Sequence, residues 1–402
     1  MSERIGYLAP DFPSQTHAFF WREAQALAEA GVAPKFFSTR RPPDAACPHA
    51  FGPEARAGTT YLFPPPTPAI ARLAARPLRA INAIRYVLGL RETPLAGRLK
   101  LMALIPCAMA LATSCRAAGV RHVHIHSFAN SAHIGALASI LDGLDYSLVL
   151  HGDLPVYGAD HADKMKRARL VAAVTEPLSR QIRAVAPDRP EWDVPVIWMG
   201  VDTEAFRPPE TPRADPVGRP FEALSVTRLS RTKGHRYFLE AMAALAAEGI
   251  DIRYRIAGDG PEREAIERHA ADLGLADRVE LLGAVGQDDV LALLQGADAL
   301  ALTSFGQGEA APVAVMEAMA CGLPVICSRI GGTADMISDG EDGFLTAQED
   351  PADIARALRR LATEAGLAAR VGAAARARAL SAFDHRGQAR KLIEALRRAQ
   401  RA

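Results

Sequence analysis

The sequence of 402 residues lacks the features that mark several classes of protein. Its five cysteines include no C-x-x-C pair, which argues against a disulfide or zinc framework and favours reduced, buried thiols. Its formal net charge is only +1, whereas a protein that neutralises nucleic-acid phosphates needs a strong basic excess. It contains no G-x-G-x-x-G motif, so no dinucleotide-binding site is predicted.

Membrane-directing segments are also missing from the pattern. The first residues, MSERIGYLAPDF, contain no apolar signal core. The longest apolar run, Leu101–Cys115, is bounded by Lys100 and Arg116 and is shorter than the about 20 residues that span a bilayer. The sequence therefore predicts a globular cytoplasmic protein.

The most informative stretch is Ala299–Ser328, ALALTSFGQGEAAPVAVMEAMACGLPVICS. A short apolar run predicts a buried strand, a glycine-rich turn follows, and Pro312 is placed to begin a helix. Glu309 lies in the turn and Glu317 lies eight residues later, inside the helix. A helix N-terminus attracts anions, and nearby carboxylates can accept hydrogen bonds from sugar hydroxyls, so the stretch suits a nucleotide sugar. The alternative is a pair of solvated glutamates, which the apolar neighbours of Glu317 disfavour.

Strands and helices alternate along the whole chain, which predicts an α/β fold with doubly wound parallel sheets. A strand at Ile5–Leu8 is followed by a loop and by a helix for which Thr16 is a plausible N-cap. A second strand-to-helix turn carries two cations, Arg228 and Lys233. Hydrogen bonds to charged groups are worth roughly 1.5–3 kcal/mol each, so the two cations suit a diphosphate. The alternative is a solvated basic turn.

Two histidines stand at the carboxyl ends of predicted strands, where open α/β sheets bind ligands. These are His126, after Val120–Ile125, and His151, after Ser147–Leu150. Because His122, His124 and His126 alternate, they share one face of their strand. A metal site is one interpretation of this row and an exposed sheet edge is the other, and we expect the exposed edge.

The segment Ala71–Arg121 is rich in arginine and has a single acidic residue, Glu92. Its basic residues alternate with Leu, Ile and Tyr, as in amphipathic helices that dock on an anionic membrane surface. An ordinary solvated helix face explains the same pattern, and the residues alone leave both interpretations open.

The E-x7-E spacing of Glu309 and Glu317, the following AMACGLPVI and the later DGEDGFL resemble the retaining GT-B glycosyltransferases of family 4. The variant EAAPVAVMEAMA is most similar to their exopolysaccharide branch, of colanic-acid type. The resemblance implies a GT-B architecture, with two Rossmann-like doubly wound domains facing a cleft. The expected boundaries are an acceptor-side domain at 1–201, a donor domain at 202–383 and a helix at 384–402 that crosses back.

The resemblance also implies roles for particular residues. Arg228 and Lys233 are expected to bind the donor diphosphate, and Glu317 is expected to accept from the ribose. Glu309 and His151 are the expected catalytic residues beside the donor sugar. The remaining expected positions are Gly258, Val285, Ala311, Pro312 and Val313 on the donor side and Ser14, Thr16 and His126 on the acceptor side. No metal or other cofactor is expected, because cations and a helix dipole take its place.

The expected reaction moves a sugar from a nucleoside-diphosphate donor to a saccharide, or lipid-linked saccharide, acceptor with retention of configuration. The expected location is the cytoplasm, with peripheral contact to the inner face of the cytoplasmic membrane. Three alternatives stay open on the same fold: a nucleotide-sugar epimerase, a glycogen-type synthase and a non-catalytic subunit that binds a nucleotide sugar. None of these involves nucleic acid.

Overall fold

The computed structural model describes residues 3–47, 49–190, 194–307 and 309–401. Their packing divides the chain into two units. One unit runs to Met199 and resumes at Gln388, and the other is Gly200–Gly387. Each unit is built on its own six-stranded sheet, and every strand pairing in both sheets is parallel. The predicted α/β fold with two doubly wound parallel sheets is therefore confirmed.

The first unit alternates strands with helices from its first residues. Its strands are β1 Glu3–Ala9, β2 Val32–Ser38, β3 Thr60–Tyr61, β4 His122–Ile125, β5 Asp145–Leu150 and β6 Leu170–Ala173. Its helices are α1 Ala18–Glu29, α2 Gly52–Gly58, α3 Thr67–Ala74, α4 Pro77–Gly89, α5 Leu95–Leu101, α6 Leu104–Ala117, α7 Asn130–Asp142, α8 His161–Met165 and α9 Glu176–Val185. The strand order across the sheet is β3-β2-β1-β4-β5-β6.

The second unit repeats this plan. Its strands are β7 Phe221–Val226, β8 Ile252–Ala257, β9 Val279–Gly283, β10 Ala299–Leu302, β11 Val325–Ser328 and β12 Phe344–Thr346. Its helices are α10 His235–Ala247, α11 Arg263–Asp272, α12 Gln287–Gly296, α13 Val313–Ala320, α14 Thr333–Met336, α15 Pro351–Thr363 and α16 Leu367–Arg378. The strand order is β12-β11-β10-β7-β8-β9.

The last helix, α17 His385–Arg401, begins in the second unit and belongs to the first from Gln388 onward. The amide of Trp198 donates to Gln388 Oε1 at 3.0 Å, which ties the helix to the end of the first stretch of chain. At the start of the second unit, the amide of Val201 donates to the carbonyl of Phe383 at 2.8 Å. One of these hydrogen bonds thus lies within each unit, near the residues at which the chain passes from one unit to the other.

Small residues let helices lie close to the first sheet. Gly135 on α7 faces β4 and β5, and a Cβ there would lie 2.5 Å from Ile125 Cδ1 and 2.9 Å from the ring of Tyr146. Helix α6 packs against α7 and α3, and its alanines 108, 110 and 112 are buried. A bulkier residue at Gly135 would separate the helix layer from the sheet.

One helical stretch, Leu95–Ala117, is long and apolar enough to cross a membrane by length and composition alone. Its second part, α6, is packed within the first unit, as expected for a core helix. Its first part, α5, exposes Leu95 and Leu99, which are 63% and 61% accessible to solvent. The apolar stretch therefore combines a buried half with an exposed half.

The sheet order reverses once in each unit, between β1 and β4 and between β10 and β7. Such reversals are topological switch points, because the helices that follow the two neighbouring strands leave on opposite faces of the sheet. They open a crevice at the carboxyl ends of the strands, and open α/β sheets bind their ligands there. The fold therefore singles out two places, one in each unit.

The structure corrects three local predictions. Helix α1 begins at Ala18, because residues Gln15–His17, which include Thr16, form a 3₁₀ turn instead of a capped helix start. The apolar run Val194–Trp198 predicts a further strand, but the structure has only a single bridge there, between Val196 and Ala173. The histidine row is not an exposed edge. His122, His124 and His126 are 5%, 1% and 5% accessible, because β4 lies between β1 and β5 in the middle of the sheet.

The predicted burial of the cysteines is confirmed. Cys47, Cys107, Cys115, Cys321 and Cys327 are all free and buried.

Candidate active site

Lys233 and Glu309 meet at the switch point of the second sheet. Lys233 ends the 3₁₀ turn Arg231–Lys233 that follows β7, and Glu309 lies in the segment that follows β10. The Nζ of Lys233 donates to Oε1 of Glu309, which also accepts from Ser304 Oγ at 3.1 Å. The side chains are 21% and 12% exposed, respectively. Two of the predicted donor-site residues, 76 positions apart, are therefore brought into direct contact.

The charges around this pair favour an anion. Arg228, in the same turn, is exposed, and its guanidinium has no hydrogen-bond or ion-pair partner among the residues that the structure describes. Burial, together with the positive charge of Arg228, lowers the pKa of Lys233 to about 8. Two cations and one carboxylate leave a net positive charge at the crevice. An incoming anion would relieve the repulsion between Arg228 and Lys233.

Gly258 supports the turn that carries Arg228. Its φ is +150°, and a Cβ would lie 1.8 Å from the carbonyl oxygen of Thr227. Its amide donates to the carbonyl of Gly283 at 2.7 Å. A Cβ at the next glycine, Gly260, would lie 2.3 Å from the carbonyl oxygen of Leu229. The structure thus gives Gly258 a packing role, and its predicted contact with the donor stays a prediction.

The loop that carries Glu309 is braced by a glycine pair after β11. Gly331 has a φ of +55°, and a Cβ there would lie 1.6 Å from the carbonyl oxygen of Glu309. The amide of Gly332 donates to the carbonyl of Ala310 at 2.7 Å. Only glycine combines this positive φ with so close a backbone approach. The position of Glu309 therefore depends on residues that follow a different strand.

Helix α13 continues from this loop. Pro312 is its N-cap and Glu317 lies half-buried in its second turn. Ala311 and Pro312 are buried and Val313 is half-buried, so the first turn packs inward. Val285 is half-buried in the turn after β9, two strands away from β7. All these residues share the carboxyl edge of the second sheet.

A polar cluster lies at the switch point of the first sheet. His126 Nδ1 and His151 Nε2 are 3.1 Å apart, and His126 Nε2 lies 3.6 Å from Glu23 Oε1. Aromatic rings enclose His126, with the centroids of Tyr7 and Phe20 each 4.4 Å from its own. The structure therefore brings together the two predicted histidines and adds Glu23, which the sequence did not single out.

Burial controls the protonation of this cluster. It raises the pKa of Glu23 to about 8 and lowers the pKa of His124 and of His151 to about 3. It also lowers the pKa of His126 well below its ordinary value. All three imidazoles are consequently neutral at physiological pH. Glu23, His124 and His126 each offer a ligand atom within 4.8 Å of the others, a spacing that a metal ion could share.

The remaining acceptor-side residues lie in the loop after β1. Ser14 is half-buried and its Oγ lies 3.0 Å from His17 Nδ1. Thr16 lies in the 3₁₀ turn beside it. Because β1 is the neighbour of β4, this loop and His126 flank the same switch point. Their predicted contact with an acceptor stays a prediction.

Part of the chain matches a family of known proteins. Residues 209–378 match the glycosyl transferases group 1 family. WcaL of Escherichia coli, named for colanic acid biosynthesis, is 27% identical over 88% of this chain and 89% of its own length. WcaL of Salmonella typhimurium and AmsK of Erwinia amylovora, named for amylovoran biosynthesis, are 31% and 33% identical, and the chain spans about half the length of each.

Solved structures share the fold over nearly the whole chain. HepE of Anabaena, in complex with UDP, has a TM-score of 0.71 at 18% identity, covering 98% of this chain and 99% of that one. Sucrose-phosphate synthase of Thermosynechococcus elongatus has a TM-score of 0.70 at 19% identity, covering 98% of both chains. The expected resemblance to glycosyltransferases, and to proteins named for exopolysaccharide synthesis, is confirmed.

Proposed function

Because residues 209–378 match the group 1 glycosyl transferases, we propose that this protein transfers a sugar from a nucleoside-diphosphate donor to a saccharide acceptor in exopolysaccharide synthesis. The transfer retains the configuration of the sugar and needs no metal ion. The observation that carries the proposal is the contact between Lys233 and Glu309, beside Arg228, at the switch point of the second sheet.

Donor binding exchanges the partners of the Lys233–Glu309 pair. The Lys233 ammonium and the Arg228 guanidinium move to phosphate oxygens, where they neutralise the charge that builds up on the leaving diphosphate. The Glu309 carboxylate, released from Lys233, accepts hydrogen bonds from hydroxyls of the donor sugar. Glu317 accepts from the ribose, and Ala311, Pro312 and Val313 supply the start of α13 for the phosphates. Because cations already stand where a metal would bind, the proposal assigns no metal to the donor.

The first unit supplies the acceptor side. His151 contacts the reacting sugar, while Ser14, Thr16 and His126 contact the acceptor. The acceptor is a saccharide on a lipid carrier, a proposal supported by relatives that are named for surface polysaccharides. A lipid carrier places the protein in the cytoplasm, on the inner face of the cytoplasmic membrane.

The surface of α4 and α5 supports contact with a membrane. Leu78 is 77% accessible, and further exposed apolar residues on these helices are Ile81, Ile84, Leu88, Leu95 and Leu99. Fewer basic residues are available to a membrane than the sequence suggested, because Arg72, Arg76 and Arg116 all bind the carboxylate of Asp142. Arg85, Arg91 and Lys100 remain exposed beside the apolar residues. We propose that this surface docks on anionic lipid.

The test is nucleotide release from a panel of UDP-, GDP- and ADP-sugars, with and without a membrane-lipid extract. Arg228→Ala is the sharpest variant, because it removes a cation without leaving a buried partner charge behind. Arg231→Ala is its matched control, since Arg231 is also exposed in the same turn. We expect one nucleotide to be released by the wild type, more with lipid extract, and turnover about 10²-fold lower in Arg228→Ala but unchanged in Arg231→Ala.

Three results would contradict the proposal. Full donor affinity and turnover in Arg228→Ala would exclude its role at the diphosphate. Conversion of the donor to an isomer without any acceptor would favour an epimerase. Binding of the donor without release under every condition would favour a non-catalytic nucleotide-sugar-binding subunit.

A further inference from the structure

Glu23, His126 and His151 form a buried line of polar groups at the switch point of the first sheet. Glu23 projects from α1, His126 follows β4 and His151 follows β5. Glu23 Oε1, His126 Nε2 and His151 Nδ1 are all buried, and none of them has a hydrogen-bond partner among the described residues. Unsatisfied buried polar atoms are costly, so three in one line call for a functional explanation.

We propose that Glu23 determines, through His126, which ring nitrogen of His151 carries the proton. Glu23 is then a positioning residue, and its effect reaches the sugar only through His151. The inference rests on the proposed function for the identity of the ligand, but the proton arrangement itself does not depend on it.

Hydrogen-bond donors and acceptors must alternate along the line. An ionised Glu23 only accepts, so His126 must hold its proton on Nε2 and accept through Nδ1. His151 then donates from Nε2, and its Nδ1 carries a lone pair. A protonated Glu23 reverses every step, because it donates to His126 Nε2, His126 donates from Nδ1, and His151 Nδ1–H becomes a donor.

The largely apolar residues around the cluster keep both imidazole rings neutral while their protons move between nitrogens. The cavity next to Glu23 is lined by His124 and His151 and otherwise by apolar residues, among them Val149, Val174 and Leu392. His124 Nδ1 is already engaged by Ser147 Oγ at 2.7 Å. Because burial holds the histidines neutral, a change at Glu23 moves protons between nitrogens instead of adding charge.

The gap between Glu23 and His126 is small enough to close. At 3.6 Å the two atoms are outside hydrogen-bond range, and a shift of about 0.5 Å brings them within it. The titratable and charged groups around Glu23 are His17 from the turn before α1, Arg22 on α1, Tyr7 on β1, His124 and His126 on β4, and His151 after β5. Glu23 is the only carboxylate in this set.

The direct test is the tautomer of each histidine, read from long-range ¹H–¹⁵N spectra of protein labelled with ¹⁵N-histidine. In the wild type we expect His126 and His151 to exchange their protonated nitrogens together between pH 6.5 and 9, through the pKa of about 8 of Glu23. In Glu23→Gln both rings should keep one tautomer at every pH. Glu29→Gln, an exposed position on the same helix, is the matched control and should behave as the wild type.

Several outcomes would overturn the inference. These are a His151 tautomer that does not change with pH in the wild type, or a change that persists in Glu23→Gln. The wild-type titration needs no variant, so the inference stays testable even if Glu23→Gln fails to fold. Stoichiometric binding of Zn²⁺ that raises the melting temperature and is lost in Glu23→Gln would assign the cluster to a metal instead.

Activity separates this inference from the proposed function. If the protein is a transferase, the pH profile of kcat near pH 8 should report both Glu23 and Lys233 in the wild type and Lys233 alone in Glu23→Gln, while the KM for the donor stays within about twofold. If the tautomers exchange in a protein that releases no nucleotide, the proposed function is refuted, but the inference that Glu23 controls the tautomer of His151 is not.

Discussion

The contact between Gly331 and the backbone of Glu309 gives a sharp prediction about how the second unit holds its carboxylate. Replacing Gly331 by alanine would put a Cβ 1.6 Å from the carbonyl oxygen of Glu309, at a φ of +55°. Gly340 offers a matched control, because its φ is +80° and a Cβ there would meet no atom within 4 Å. Both variants strain the backbone, and only Gly331→Ala also collides with the loop of the candidate site.

The expected cost follows from these two terms. An alanine in the left-handed region costs about 1–2 kcal/mol, which both variants share. Gly331→Ala adds the cost of forcing atoms into a packed region, about 1–3 kcal/mol. For a domain of 150–250 residues, each kcal/mol lowers the melting temperature by about 2–4 °C. We therefore expect the second unit to melt about 2–12 °C lower in Gly331→Ala than in Gly340→Ala.

The assay combines thermal melting with nucleotide release. Gly331→Ala should lose turnover, because relief of the collision moves the Glu309 loop, whereas Gly340→Ala should keep wild-type turnover. Equal melting temperatures for the two variants would refute the claim that Gly331 braces this loop. A destabilised Gly331→Ala with full turnover would separate the brace from the chemistry.

Two further predictions concern the first unit. Leu78→Ser should weaken cosedimentation with anionic vesicles by about tenfold, because burying a leucine contributes about 1.5 kcal/mol or more. Leu380 is an exposed leucine of the second unit, and Leu380→Ser should leave cosedimentation unchanged. Equal losses in both variants would refute the docking surface. Acidification from pH 6.5 to 5 should lower the urea midpoint of the first unit. The pKa values of His124 and His151 are about 3 in the folded state, so these histidines take up protons only on unfolding. Each histidine therefore lowers the free energy of unfolding by about 1.4 kcal/mol per pH unit. Glu23 acts in the opposite direction, because it is protonated when folded and releases one proton on unfolding. Two histidines outweigh this one carboxyl group, so an unchanged midpoint would contradict the burial of the histidines.

The alternation of apolar runs and turn residues was enough to predict the fold, because several strands, such as β6, β10 and β11, are short apolar runs. Helix α13 begins at Val313, one residue after the start that Pro312 predicts. The roles of Lys233 and Glu309 were expected separately. Their contact was not, because it arises from the pairing of β10 with β7, and strand order cannot be read from local periodicity.

Glu23 and the histidine row show where sequence reasoning failed. A single glutamate in an amphipathic helix reads as a surface residue, although its place beside Phe20, Ala24 and Leu27 on the buried face of α1 was a usable signal. The alternation of His122, His124 and His126 fits an edge strand and a central strand equally well. Only the position of β4 between β1 and β5 decides between them.

The five buried cysteines allow the unfolding of each unit to be measured in the wild-type chain, without an added label site. Cys47, Cys107 and Cys115 lie in the first unit, and Cys321 and Cys327 lie in the second. Burial raises the pKa of Cys321 and of Cys327 to about 12, so little reactive thiolate forms while the second unit is folded. When alkylation is faster than reclosing, an alkylating reagent labels each cysteine at the rate at which its surroundings unfold. Mass spectrometry of the labelled peptides then times the opening of the two units separately, in a single sample of wild-type protein.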